Sequence, residues 1–277
     1  MHTLDEPYRG RAAPLGSARY WSWLFAHPQS RGPLLGVYAL LAEWLALMHP
    51  GTERPVAETK ILWWREEMQR LARRTPIHPI ARYLAALPNA PTIDFEPLLR
   101  AAQAAAVHIG GVPIERGGEL NAHANALLGG PLLVAAQFAA PQPDADGLRD
   151  CTRALAIGDY LARATADYRS AALAGRMLFP VDELLAAGIG NDDLAMRAPP
   201  PRLRTYLAQA RQRAADQYAF AAQALRPEEC AAQRGLLVLA ALGSHHLRRE
   251  RSPSVHGARL QDILVAWRAA RRAVRAR

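Results

Sequence analysis

Cysteine is scarce in this sequence. Cys151 and Cys230 are the two present, far apart and without C-x-x-C spacing, so neither a disulfide framework nor a zinc site is expected. Apolar and polar residues never alternate for more than a few positions, which excludes a chain built of strands. No internal repeat is present, which excludes a solenoid or propeller. No run reads as the roughly 18 consecutive apolar residues of a membrane-spanning helix. The opening MHTLDEPYRGRAAPLGS carries acids where a signal peptide has its apolar core. These absences lead to the expectation of a protein in a reducing, cytoplasmic compartment.

What is present is material for helices. Of 277 residues, 50% are hydrophobic and 21% charged, the balance of a globular chain able to bury a sizeable core. Alanine, leucine and arginine dominate, and glycine and proline gather in short breaks, which favours helix over strand. The formal charge is +9, nearly all of the positive charge being arginine. Such a balance attracts an anionic partner, or it is a compositional habit of using arginine where lysine would serve. No nucleic-acid-binding motif accompanies it, so nucleic acid is not an expected partner.

The chain divides into a loose arm, residues 1–16, and one helical domain, 17–277. A short helix ARYWSWLFA runs to His27-Pro28, followed by the almost wholly apolar 34–48, whose one acid is Glu43. A helix apolar all round belongs in the centre of a bundle. Helices are expected next from Pro55, through ARYLAAL and over 95–109. Another spans 118–138, kinked or split at Gly129-Gly130-Pro131. After a loop at 141–147 comes a long helix carrying Asp159 and Asp167, then helices at 181–188, 202–225, 228–250 and 259–276. The fold class is all-α.

Several segments, in order, resemble the squalene/phytoene synthase family. They are ARYWSWLFAHPQSRGPLLGVYALLAEW, then TKILWWREEM with HPIARYLAAL, then IGDYLARATADYRSAALAGRMLFPVDELL. The resemblance covers about residues 17–270. It implies a single isoprenoid-synthase-type helical bundle around a central apolar cavity, in which two prenyl diphosphates condense head-to-head. It also implies two acidic motifs on facing helices that hold Mg²⁺ against the leaving diphosphate. That ion needs hard oxygen ligands, and diphosphate departure in an apolar pocket needs cations.

Most of those acids are missing. After Tyr38, where the first motif would stand, the chain reads Glu43-Trp44-Leu45-Ala46-Leu47-Met48-His49. Glu43 is either a displaced ligand or the partner of an arginine. Aligned on Gly175-Arg176, Asp167 holds the first position of the second motif, while Ser170 and Ala171 replace its later acids. Asp159, Arg163 and Asp167 share one helix face, as an intrahelical ladder or as relic ligands beside a cation. Asp167 is the one candidate metal ligand, and Glu43, Asp159 and Asp167 are the candidate catalytic relics. The resemblance assigns Tyr38, Tyr160, Arg163 and Arg176 to ligand binding. For Arg176 the alternative is capping of its own helix end. With so few carboxylates no cofactor is expected, or Mg²⁺ if catalysis survives. The expected function is a non-catalytic isoprenoid- or lipid-binding accessory protein, like the complex I assembly-factor branch that lacks the same acids. The alternative is an active head-to-head prenyltransferase with an altered metal site.

Elsewhere, His245 and His246 point to different sides of a helix and do not suggest a chelate. Asp192 and Asp193 fit a helix start. Trp63 and Trp64 face different ways. The terminal ILVAWRAARRAVRAR is a basic amphipathic helix, suited to peripheral contact with an anionic inner-membrane surface or to solvent. A protein partner is the remaining expectation.

Overall fold

The computed structural model describes residues 4–139, 145–249 and 260–276. Among these the regular structure is helical. The first helix, α1 (Glu6–Ala12), corrects the reading of residues 1–16 as a loose arm. Pro7 falls in its first turn, where a missing N–H costs nothing. Leu4, Ala12 and Ala13 are buried in the main core, and α1 packs on α3; residues 1–3 lie outside the described residues. Next come α2 (Ala18–Phe25), capped by the Ser17 side chain, and α3 (Pro28–Met48), which starts six residues before the apolar run. Pro28 occupies its first turn, while Pro33 lies inside the helix, where its missing amide removes one i→i−4 bond.

By length and hydropathy α3 would suit a bilayer, which corrects the expectation that no such segment exists. Its apolar surface is spent inside the protein instead. Val37, Tyr38, Leu40 and Trp44 are all fully buried, and Gly36 lets it approach the Leu84 side chain.

There follow α4 (Arg54–Ala72), α5 (Pro79–Ala85) and α6 (Glu96–Ile109). Glu67, wholly buried on α4, ties the loop into α5 by accepting the Ile77 and His78 amides at 2.8 Å. Its charge is met by Arg70 at 3.1 Å. Trp64 is buried against Trp44 while Trp63 is exposed, as their spacing predicts.

The interruption at Gly129-Gly130-Pro131 is a π-helical turn, Asn125–Gly129, joining α7 (Gly117–Ala124) to α8 (Gly130–Gln137). Pro131 has no amide to give, so the chain passes through a wider turn. The long α9 (Ala145–Leu173) begins inside the expected loop 141–147, of which 141–144 lie outside the described residues. Then come α10 (Val181–Ala186), α11 (Asn191–Ala195) and α12 (Pro201–Ala221). Asp192 and Asp193 do open α11, and Asp193 is fixed by two bonds from Arg202 at 2.7 Å.

The helix expected over 228–250 is two, α13 (Pro227–Cys230) and α14 (Arg234–Leu247). Arg234 at the break donates to the Phe25 carbonyl at 2.7 Å, and residue 250 lies outside the described set. The last is α15 (Leu260–Arg275); residue 259 of the expected helix is likewise outside.

The main core runs from Leu4 to Ala273, and a smaller cluster of Trp21, Val238, Leu242, Ala266 and Ala270 lies beside it; the main core positions the site. In it α9 is the axis, with α12 and α14 on one side and the π turn and α8 on the other. α3 lies against α8, α6, α5 and α1. The space left between α3, α9, α2 and the π turn is the site.

Candidate functional site

A cavity of about 610 Å³ is bounded by Leu45, Ala46 and Met48 of α3, by His49 just after it, and by Tyr160, Arg163, Asp167 and Ala171 of α9. The π turn contributes Leu127 and Leu128, and the His49–Thr52 loop forms part of its edge. A second chamber, about 80 Å³, is walled by Tyr38, Asp159 and Tyr218. Arg19, Leu45, Leu128 and Arg163 border both and mark the neck where the two adjoin. Trp44 turns toward Trp64 and leaves the space open.

Glu43 is elsewhere. Its carboxylate meets Arg11 of α1 at 3.1 Å and lines neither chamber. The structure therefore places it in the arginine-pairing role and not beside the other acids. Arg163 Nε donates to Asp159 at 2.8 Å. The ladder stops there, because the Asp167 carboxylate has no ion pair or hydrogen bond among the described residues. Burial raises the Asp167 carboxyl above its ordinary range, against the pull of Arg163 and His49. For Arg163, burial works against the charge, and Asp159 outweighs it and holds its pKa high.

Arg176 is buried and donates to the Met48 carbonyl, the last residue of α3. It caps a helix, but not the expected one: it ties the end of α3 to the loop after α9. Tyr38 shares a 2.8 Å hydrogen bond with Ser22, which donates to the Gly235 carbonyl at 2.9 Å. Tyr160 donates to the Leu178 carbonyl at 3.2 Å. Both phenols are pushed well above their ordinary range by burial. They stay neutral, and each has its proton engaged or shared within the protein. Beside them His108, stacked on His123 at 5.9 Å, is driven down to about 4 by burial, then by His123 and Arg176. It faces the cavity uncharged at neutral pH.

The squalene/phytoene synthase family model matches residues 14–270. The chain belongs to the squalene/phytoene synthase family. Its fold is similar to that of a dehydrosqualene synthase in complex with a ligand, with a TM-score of 0.71 and 13% identity over 98% of this chain and 99% of the other. It is also similar to squalene synthase HpnC from Alicyclobacillus acidocaldarius, with a TM-score of 0.63 and 18% identity over 89% and 95%. No curated protein sequence matches it.

Leu45, Ala46 and His49, from the stretch where the sequence leads one to expect the first acidic motif, all line the cavity. Ala171, from the stretch expected to carry the second, lines it too, while Ser170 is exposed. The Mg²⁺ implied by the family needs several oxygen donors. Asp167 is one, Asp159 is engaged by Arg163, and Glu43 is absent from the wall. No group of three or more His, Cys, Asp or Glu suited to a metal occurs among the described residues. The donor set does not fit a Mg²⁺ cluster, and no chemical step is derived through one.

Sequence reasoning missed Arg19, His108 and Tyr218 as cavity residues. Arg19 had a signal: it is the only charged residue in ARYWSWLFA. His245 and His246 converge on Asp262 of α15, at 3.5 and 3.3 Å, where they join α14 to α15.

Proposed function

We propose that this member of the family keeps the ligand cavity without the metal-assisted chemistry. It binds an isoprenoid or similar lipid-like molecule and acts as an accessory or assembly protein. The supporting observation is the cavity wall: leucine, alanine and histidine at the first acidic motif, and a single unpaired carboxylate, Asp167, at the second. A leaving diphosphate needs dense positive charge, normally divalent ions held by several carboxylates. Incubation of the purified protein with farnesyl or geranylgeranyl diphosphate and Mg²⁺ should give no condensation product. A head-to-head hydrocarbon that vanishes in Asp167→Ala would overturn the reading. It would favour the alternative, an active prenyltransferase using Asp159 and Asp167, which the free state of Asp167 keeps open.

The same reading includes peripheral contact with an anionic membrane surface through α15. Its inner face is small, with Ala266, Ala270 and Ala273 buried, and its outer stripe is large and apolar. Leu260, Leu264, Trp267 and Val274 are exposed there, flanked by exposed Arg268, Arg271, Arg272 and Arg275. A helix that gives its alanines to the core and its large side chains to solvent suits an interface rich in anionic lipid. Loss of vesicle binding at high salt would agree with this. Equal binding to neutral and anionic vesicles would contradict it.

A further inference from the structure

Arg19 is a cavity cation that the fold leaves unbalanced. It sits in the first turn of α2, where the helix dipole disfavours positive charge. Its one side-chain hydrogen bond among the described residues is a long contact, 3.4 Å, to the Tyr38 carbonyl. Among the described residues no carboxylate lies within ion-pair distance of it. Its neighbour at the neck is another guanidinium, Arg163, which already holds Asp159 at 2.8 Å. Burial, then repulsion by Arg163, lowers Arg19 to about 10, with Asp159 and Tyr38 offsetting only part. Beside Leu45 and Leu128 the one engaged carboxylate, Asp159, is held by Arg163, and Arg19 has none. An unpaired charge in so apolar a place is costly until an anion joins it.

We infer that the neck is a metal-independent anion site, in which Arg19 and Arg163 take the head of a lipid monophosphate whose apolar tail occupies the larger chamber. This rests on the proposal that the cavity still binds a lipid-like ligand, and assigns its head group to guanidiniums. Arginine forks bind phosphate oxygens directly and need no bridging ion. A cavity of about 610 Å³ is in the range of roughly 300–1,000 Å³ that encloses a small organic ligand. Met48, Leu127, Leu128, Ala164 and Leu178 supply apolar wall. Asp167, one helical turn from Arg163 and facing the same chamber, sets the selectivity. Without a metal to screen it, Asp167 disfavours the second phosphate of a diphosphate, so the monophosphate is preferred.

The test is equilibrium binding in EDTA of farnesyl monophosphate, farnesyl diphosphate, farnesol and inorganic phosphate to the full chain. Farnesyl monophosphate should bind about tenfold or more tightly than farnesol, more tightly than the diphosphate, and equally well when Mg²⁺ replaces EDTA. Arg19→Met should weaken it about tenfold or more while raising the melting temperature of the unliganded protein, because an uncompensated cation is gone. Binding that needs Mg²⁺, equal binding of farnesol, preference for the diphosphate in EDTA, or an unchanged affinity in Arg19→Met would overturn the inference. So would full displacement by an equal concentration of inorganic phosphate, which would show that the tail contributes nothing. The wild-type comparisons decide the matter even if Arg19→Met does not fold. Turnover of prenyl diphosphates with Mg²⁺ would end the non-catalytic reading separately and leave these binding results to be judged alone.

Discussion

Tyr218 forms a wall of the smaller chamber, and two glycines make room for it. A Cβ on Gly243 would overlap Cζ and Cε1 of its ring and lie 2.8 Å from Cε2. On the other side a Cβ on Gly158 would meet the ring at 3.2 Å. The ring is 4% exposed, so it cannot swing into solvent. Gly243→Ala therefore forces overpacking, which at contacts this short costs about 2–3 kcal/mol, the upper part of the usual range. The gain in helix propensity from Gly to Ala is about 1 kcal/mol. The net loss is about 1–2 kcal/mol, which for a chain of this size is a fall of roughly 2–8 °C in melting temperature. Reversible denaturant unfolding measures it. Tyr218→Leu in the same chain should be less harmful beside Gly243→Ala than alone, because the two share one space. A Gly243→Ala protein as stable as the parent, or additive effects in the double variant, would refute the reasoning.

Arg176→Ala removes the bond to the Met48 carbonyl. A charged donor in a buried place is worth about 1.5–3 kcal/mol, and amide exchange should quicken at the end of α3 and over His49–Thr52. If only the α9 end loosens, the cross-helix cap is wrong. His108 titrates near 4 in the folded protein and at about 6.5 unfolded. Between those values the unfolded chain binds the extra proton, so stability falls as pH drops, by at most about 1.4 kcal/mol per pH unit. His108→Gln should flatten that stretch of the stability profile, and an unchanged slope would count against burial of the ring. On α15, Leu264→Asp should reduce co-sedimentation with anionic vesicles without altering the melting temperature, since Leu264 is 49% exposed. Undiminished sedimentation would remove α15 from the membrane contact.

The helical class was legible because helix-forming pattern and spacing are local. A spacing of four residues puts Asp159 and Arg163 within reach of each other, and the structure joins them. Leu45, Ala46 and His49 fall on the cavity wall. What escaped was decided at long range. Arg176 finds its acceptor on Met48, 128 positions away, and no periodicity reports such a pair. The proline and glycines of the first 16 residues suggested a loose arm. The small Ala12 and Ala13, buried in the main core, needed the folded partner to be recognised. Glu43 was read with two roles open, and only the return of Arg11 across α3 decided between them. The apolar α3 could be told from a membrane span only by what surrounds it.

On the proposed reading, too few carboxylates face this cavity for metal-assisted loss of diphosphate. Pyrophosphate release from farnesyl diphosphate, followed with and without saturating Mg²⁺, tests it most directly. The account predicts no Mg²⁺-dependent release above a heat-denatured control. Sustained release with Mg²⁺, abolished by Asp167→Ala, would contradict it.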